Sequence, residues 1–190
     1  MVSMKGFFEE GVLQRSGRLL VVCHCLLNVQ TKVYPLAAYG GVFVEALKEH
    51  WEKGHGLFQL PCPEVTYLGM HRWGMTREQY DHPNFHRHCE RILEPVMDHL
   101  VALRRGGCHL LGVVGMDGSP NCGVHWTCEG FFGGDVSTER AQENLSRLRW
   151  VRGFGVFMGI LKQKLSQAGM EVPFGAVKEQ GEYGETLIQW

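Results

Sequence analysis

The chain has 190 residues, 44% of them hydrophobic and 21% charged, and a formal net charge of −1 at pH 7. This length suits one domain with a substantial core, and the near-neutral charge argues against electrostatic binding to nucleic acid or to an anionic membrane. No apolar stretch reaches the roughly 18 residues of a membrane span. Residues 1–17 also lack the uninterrupted apolar segment of a signal peptide. We therefore expect a cytoplasmic protein without nucleic-acid or membrane partners.

Hydrophobic periodicity predicts short strands that alternate with amphipathic helices. The predicted strands are residues 18–23, 56–61, 108–114 and 170–177, with an edge strand through 186–188. The predicted helices are residues 35–54, 84–105, a helix that begins at Ser137 or Thr138, and 156–168. In the first helix, Trp51 falls on the apolar face, and in the second helix Pro95 should cause a kink or a division. Residues 65–84 are predicted to form a long connection.

This alternation is typical of an α/β fold with a mainly parallel sheet. We expect a single domain over residues 1–190. It would consist of a lead-in at 1–17, a core at 18–177 and a C-terminal tail at 178–190. In such a sheet the carboxyl ends of the strands share one edge, which is where ligands bind.

The seven cysteines are an odd number, which argues against a disulfide framework. Three of them, Cys25, Cys62 and Cys122, each follow a predicted strand and are predicted to converge at the ligand-binding edge. Cys23 is interpreted as a strand residue. Cys89 and Cys108 are interpreted as small buried hydrophobic residues.

Three converging thiolates make a soft ligand set that selects zinc, copper(I) or an iron–sulfur cluster. A [4Fe–4S] cluster on three cysteines would leave one iron with an open position. The same three cysteines with His24 or His125 could instead form a closed tetrahedral zinc site in a non-catalytic metal-binding protein. The chain contains no Cys-x-x-Cys pair, so the spacing does not decide between these sites.

Two further residues in the cysteine motifs could move protons. Glu64 lies two residues after Cys62 and could act as a general acid or base, while Ser119 could orient a substrate or relay a proton. The alternatives are a helix N-cap or loop carboxylate for Glu64 and a turn residue before Pro120 for Ser119. A third hypothesis is a cysteine hydrolase with Cys122 as nucleophile and His125 as base, but it leaves the other two motifs unexplained.

The three motifs also resemble those of the thiouracil desulfidase family. The matching segments are Cys25-Leu26-Leu27, Pro61-Cys62-Pro63-Glu64-Val65 and Gly118-Ser119-Pro120-Asn121-Cys122-Gly123, which occur in the family's order. The resemblance covers about residues 18–177. It implies a compact Rossmann-like three-layer fold and a [4Fe–4S] cluster bound by the three cysteines.

The resemblance also implies a non-redox reaction in which water replaces the sulfur of a small thiolated compound. In this reaction the open iron would bind the substrate sulfur, Ser119 would be an active-site hydroxyl, and Glu64 is the candidate catalytic carboxylate. The expected substrate is a thio-nucleobase or a related thioamide.

This chain departs from the family pattern at several positions. Cys23-His24 replaces Ser-Ala, Asn28 replaces a glycine, and Asn121 replaces a serine, as in a divergent subgroup. An aromatic and basic segment also replaces the glycine-rich stretch expected after the second motif. The candidates for substrate contact in this segment are Tyr67, His71, Arg72 and Trp73.

Overall fold

The centre of the fold is a strand in which four successive apolar residues, Leu19 to Val22, are buried. In the computed structural model, which describes residues 15–131, 133–134, 137–178 and 188–190, seven strands are seen. They are β1 (Arg18–Val22), β2 (Gly56–Gln59), β3 (His109–Met116), β4 (Trp126–Glu129), β5 (Arg149–Arg152), β6 (Phe174–Val177) and β7 (Ile188–Gln189). Such a continuous apolar run is typical of a parallel strand covered on both faces.

The described helices connect these strands. They are α1 (His24–Leu27), α2 (Val44–Glu52), α3 (Pro63–Leu68), α4 (Arg77–Tyr80), α5 (Pro83–Arg105), α6 (Thr138–Arg147) and α7 (Val156–Gln167). A single 3-10 turn at Val29–Thr31 follows α1. The helix α5 buries Phe85, Cys89, Leu93 and Leu100 and packs against α7.

The main sheet has five strands in the order β2-β1-β3-β6-β7. Its first four strands are parallel, and β7 is antiparallel to β6. The predicted α/β class with a mainly parallel sheet is therefore confirmed. With the right-handed crossovers that are general for parallel strands, this order puts α2 on one face of the sheet and α5 and α7, which pack against each other, on the other face.

This strand order has one topological switch point. The connection that leaves β1 runs to β2 on one side, whereas the later connections run to β3 and β6 on the other side. The direction of winding therefore changes between β1 and β3. In open α/β sheets the crevice outside the carboxyl ends of the strands at this point is the usual ligand site.

Several sequence predictions are wrong in detail. The helix predicted over 35–54 begins only at Val44, because Gly40 and Gly41 disfavour helix before it, and Trp51 is 74% exposed rather than buried. The predicted connection over 65–84 contains two helices, α3 and α4. Pro95 lies inside the continuous helix α5 and does not divide it.

The region after Cys122 contains a second sheet that the sequence did not predict. There, β4 and β5 form an antiparallel pair on either side of α6. The predicted C-terminal edge strand is present at Ile188–Gln189, while residues 179–187 lie outside the described residues. Residues 1–14 of the predicted lead-in also lie outside the described residues.

Among the described helices, none has both the length and the apolar character that crossing a membrane requires.

Candidate metal centre

Two of the cysteines lie directly after β1. Cys23 is fully buried, and its backbone N–H donates to the Val114 carbonyl of β3 at 2.9 Å. Cys25 follows in the first turn of α1 and is half-buried. The two sulfur atoms are 3.6 Å apart. The end of β1 thus presents a pair of thiols in direct contact.

The loop after β3 brings Cys122 to the same edge. Its carbonyl accepts from the Met116 N–H at 2.9 Å, so the loop folds back over the end of the strand. A side chain at Gly115 would place its Cβ 2.2 Å from that carbonyl oxygen, so only glycine allows this approach. The Ser119 hydroxyl accepts from the N–H groups of Asn121 and Cys122, at 3.2 and 2.9 Å. Ser119 therefore holds the turn that positions Cys122.

Cys62 lies after β2, where it precedes α3 and is flanked by two prolines. Its carbonyl accepts a hydrogen bond from the Thr66 hydroxyl at 2.8 Å. Burial raises the pKa of Cys62 to about 12, and the charge of Cys122 contributes to this shift. All three predicted cysteines therefore follow neighbouring parallel strands, as the sequence suggested.

The thiols influence one another's ionisation. Hydrogen bonds with Cys122 and Cys25, together with burial, raise the pKa of Cys23. The hydrogen bond from Cys23 lowers the pKa of Cys25, and the positive charge of Lys32 acts in the same direction. Of these two contacting thiols, Cys25 therefore becomes a thiolate, the form that binds metals, more readily than Cys23.

Glu64 lies beside the cysteines in a buried polar network. One of its carboxylate oxygens accepts from Arg72 Nε at 3.1 Å, and the other accepts from Asn121 Nδ2 at 3.1 Å. The Arg72 side chain is only 3% exposed and also donates to the carbonyls of Gly69 and Thr31, at 3.2 and 2.5 Å. Asn121 Oδ1 is buried and has no hydrogen-bond partner within the described part of the chain.

The four residues proposed for substrate contact lie in different surroundings. Tyr67 packs its ring edge-on against Phe85 of α5, and its hydroxyl accepts from Asn84. Arg72 is buried in its ion pair. His71 is exposed, and Trp73 is 79% exposed. Only the last two therefore present most of their surface to solvent.

Both histidines that were alternative zinc ligands have other partners. His24 Nδ1 lies 3.1 Å from the Leu60 carbonyl, which joins the loop after β1 to the end of β2. His125 Nδ1 lies 3.1 Å from Asp117 Oδ2. The other oxygen of this buried aspartate accepts from the N–H groups of Val124, His125 and Trp126. His125 is thereby oriented by Asp117.

The side chains at this edge suit a sulfur-ligated metal group in their chemistry. Free cysteines, which provide soft ligands, lie near the ammonium group of Lys32. Within the described ranges, no three His, Cys, Asp or Glu side chains stand in the arrangement of a formed metal-ion site. The sequence did not reveal that Cys23 contacts the Cys25 thiol or that Arg72 forms an ion pair with Glu64. The unusual Cys-x-Cys spacing was the available signal for Cys23.

Comparison with known proteins gives one relative of unassigned activity. Over 107 residues, which are 56% of this chain and 68% of the relative, the sequence is 32% identical to the uncharacterized protein MJ0003 of Methanocaldococcus jannaschii. No protein-family model matches the chain. No solved structure matches it at a significant level.

Proposed function

We propose that this chain, which belongs to the same family as the uncharacterized protein MJ0003, is an iron–sulfur desulfidase. The reaction replaces the sulfur of a small thioamide, such as a thio-nucleobase, with the oxygen of water and releases hydrogen sulfide. The observation that carries the proposal is the position of Cys25, Cys62 and Cys122 after three neighbouring parallel strands. This edge is where ligands bind in such sheets.

The three cysteines are the proposed ligands of a [4Fe–4S] cluster. A cluster held in this way would supply an iron with an open coordination position, a Lewis acid for the sulfur of the substrate. Burial lowers the pKa of Lys32, while the charges of Cys25, Glu64 and Cys122 act in the opposite direction, so the ammonium group lies near these side chains. Lys32 therefore offsets part of the negative charge that thiolates and a carboxylate bring to this edge.

Glu64 is the proposed acceptor of a proton from the attacking water. Arg72 and Asn121 each bind one of its oxygens and hold the carboxylate in a fixed orientation. The unpartnered Asn121 Oδ1 is a further acceptor for a water molecule beside this carboxylate. Arg72 then acts by positioning Glu64 and not by binding substrate.

Ser119 and the segment after α3 complete the proposed site. The Ser119 oxygen already accepts two backbone hydrogen bonds, so its own hydrogen remains to be donated to the departing or entering group. The exposed indole of Trp73 is the candidate for stacking on a planar substrate ring, with His71 beside it. Tyr67 would support this segment through its packing on α5.

The proposal is tested by anaerobic reconstitution of the full chain, followed by measurement of iron, acid-labile sulfide and the visible spectrum. We expect about four iron atoms and about four sulfides per chain. Cys25→Ser, Cys62→Ser and Cys122→Ser should each lower the iron content, while Cys108→Ser, at the opposite end of β3, should leave it unchanged. Sulfide release from thio-nucleobases then tests the activity. A chain that takes up no iron would overturn the proposal.

A further inference from the structure

A cavity without cysteines in its lining lies between the β4–β5 pair and β7. Its volume is about 440 Å³, and it is lined by His125, Trp126, Arg152, Gln189 and Trp190. None of these residues is a proposed cluster ligand or a proposed proton acceptor. We propose that this cavity binds a mononucleotide, a small molecule that joins a planar base to a phosphate group.

The lining has the composition of a small-molecule site. Such sites have volumes of about 300–1,000 Å³ and combine aromatic walls with a few polar groups at defined positions. Here two indoles provide the aromatic surface, while a guanidinium, an imidazole and an amide provide the polar groups. The size and the chemistry therefore both suit a single nucleotide.

Trp190 is seated on the main sheet by two glycines of neighbouring strands. Gly112 of β3 and Gly175 of β6 lie under the indole, and a Cβ at either position would collide with it. Even so, 54% of the Trp190 surface remains exposed. The indole thus has a fixed support on the sheet and retains a surface on which a base can stack.

Arg152 supplies the positive charge of the cavity. It pairs with Trp126 across the β4–β5 ladder, and its guanidinium carbon lies 5.2 Å from the centre of the Trp126 ring. Within the described part of the chain this guanidinium forms no ion pair, whereas Arg149 of the same strand has Glu129 as its partner. A planar guanidinium held beside an aromatic ring is suited to bind phosphate oxygens.

His125 is the second group that can contact the phosphate. Its Nδ1 lies 3.1 Å from Oδ2 of Asp117, whose side chain is only 3% exposed. Because a carboxylate can only accept, Nδ1 carries a hydrogen, and Nε2 is the ring nitrogen left for a ligand. Nε2 donates to an anionic oxygen when the ring is protonated, and a bound phosphate favours that form.

The arrangement favours one nucleotide over a nucleic-acid strand. A strand needs a basic track along its backbone, and the net charge of this chain is −1. In the cavity, the base would stack on Trp190 while the phosphate lies between Arg152 and His125. This inference does not depend on the desulfidase proposal, because the two sites share no residue.

The first test is calorimetric titration of the full chain with adenosine 5′-monophosphate at about 0.15 M salt. Arg152→Gln should weaken binding about tenfold or more, because it removes a charge-assisted hydrogen bond. Arg152→Lys should lose less, since it keeps the charge. Arg149→Gln, three positions away on the opposite face of the strand, removes the same charge and should bind as the unaltered chain does. Adenosine and inorganic phosphate should each bind about tenfold or more weakly.

The second test locates the ligand. The chain has five tryptophans, whose indole N–H groups are resolved by nitrogen-15 NMR. The nucleotide should shift the signals of Trp126 and Trp190 and not that of Trp73, the stacking candidate of the desulfidase proposal. A shift of Trp73 alone would overturn the inference.

Two controls make the outcomes distinct. Circular dichroism shows that Arg152→Gln is folded, and full nucleotide affinity in the folded variant would also overturn the inference. Iron reconstitution of Arg152→Gln should give the iron content of the unaltered chain, because Arg152 lies outside the proposed cluster site. A failure of the nucleotide site is thereby separated from a failure of the cluster proposal.

Discussion

The cysteine edge has two sides that are held together in different ways. On the β1–β3 side, the sulfur atoms of Cys23 and Cys25 lie 3.6 Å apart, a hydrogen bond with Cys122 raises the pKa of Cys23, and tight backbone turns carry these residues. On the β2–α3 side, the buried ion pair of Glu64 and Arg72 fixes the chain around Cys62. The first side is rich in metal-binding groups, and the second is a rigid arrangement of charges. Under the proposed function, the β1–β3 side supplies two of the cluster ligands, Cys25 and Cys122, while the β2–α3 side supplies the third, Cys62, together with the oriented Glu64 carboxylate.

The two sides are joined by a few polar contacts. Asn121, from the loop of Cys122, donates to Glu64 on the other side. The Arg72 guanidinium reaches across to the carbonyl of Thr31, in the 3-10 turn that follows α1. Changes confined to one side should therefore weaken the other through these contacts.

The largest effect is expected from Arg72→Met on the β2–α3 side. It leaves the Glu64 carboxylate, 14% exposed, without its charged partner, and the free energy of unfolding should fall by about 3 kcal/mol. Urea denaturation measures this loss. Arg149→Met, which removes an exposed partner of Glu129, is the matched control and should cost less than about 1 kcal/mol. Equal losses in the two variants would show that the buried ion pair contributes no more to stability than the exposed one.

Gly115→Ala tests the β1–β3 side. The new Cβ would lie 2.2 Å from the Cys122 carbonyl oxygen, so the loop must move. We expect a loss of about 2 kcal/mol in the free energy of unfolding, together with a lower iron content after anaerobic reconstitution. Gly41→Ala, where a Cβ would meet nothing within 4 Å, is the control for the added methyl group. An unchanged iron content in folded Gly115→Ala would contradict the role given to the Cys122 loop.

Asp117→Asn probes the turn beyond Cys122. Asp117 Oδ1 accepts three backbone N–H groups, while Oδ2 faces His125. An asparagine keeps one acceptor oxygen but loses the charge, so we expect a loss of about 1 kcal/mol. The His125 ring should also change its tautomer, which nitrogen-15 NMR of the imidazole detects. An unchanged spectrum would argue against the hydrogen bond between the two side chains.

The sequence was sufficient for the alternation of strands and helices and for the position of three cysteines directly after neighbouring parallel strands. Continuous apolar runs such as Leu19 to Val22 identify buried strands with little ambiguity. The antiparallel pairing of β4 with β5 was missed because α6 lies between the two strands in sequence. Patterns within one segment do not encode such pairing.

The details of the site depend on the same kind of long-range contact. Glu64 and Asn121 are 57 positions apart in the sequence, and no sequence periodicity links them. Cys23 was interpreted as a strand residue because the Cys-x-Cys spacing is too short for a zinc ribbon or a thioredoxin-type motif. In the structure the strand ends one residue earlier, at Val22, and the thiol lies 3.6 Å from that of Cys25. Cys23 is thus a core residue that also touches a thiol of the site.

The smallest effect on stability is expected from lowering the pH, through protonation of a histidine beside the β2–α3 side. Burial and the charge of Arg91 lower the pKa of His88, a buried residue of α5 whose Nε2 lies 2.8 Å from the Thr66 hydroxyl. Because the folded-state pKa is below the unfolded value of about 6.5, the neutral ring stabilises the fold above that pH, and this contribution is lost as the pH falls. Thr66 in turn binds the Cys62 carbonyl, so the loss should loosen that side.

Urea denaturation between pH 7.5 and pH 5.5 measures the effect. The unaltered chain should lose more stability over this interval than His88→Gln does, because the variant has no imidazole to protonate. His50 and His55 have pKa values lowered by burial and supply a background of the same sign in both proteins. His109→Gln, at an exposed position, should retain the full pH dependence. If His88→Gln retains it as well, the buried imidazole does not couple protonation to the anchoring of Cys62.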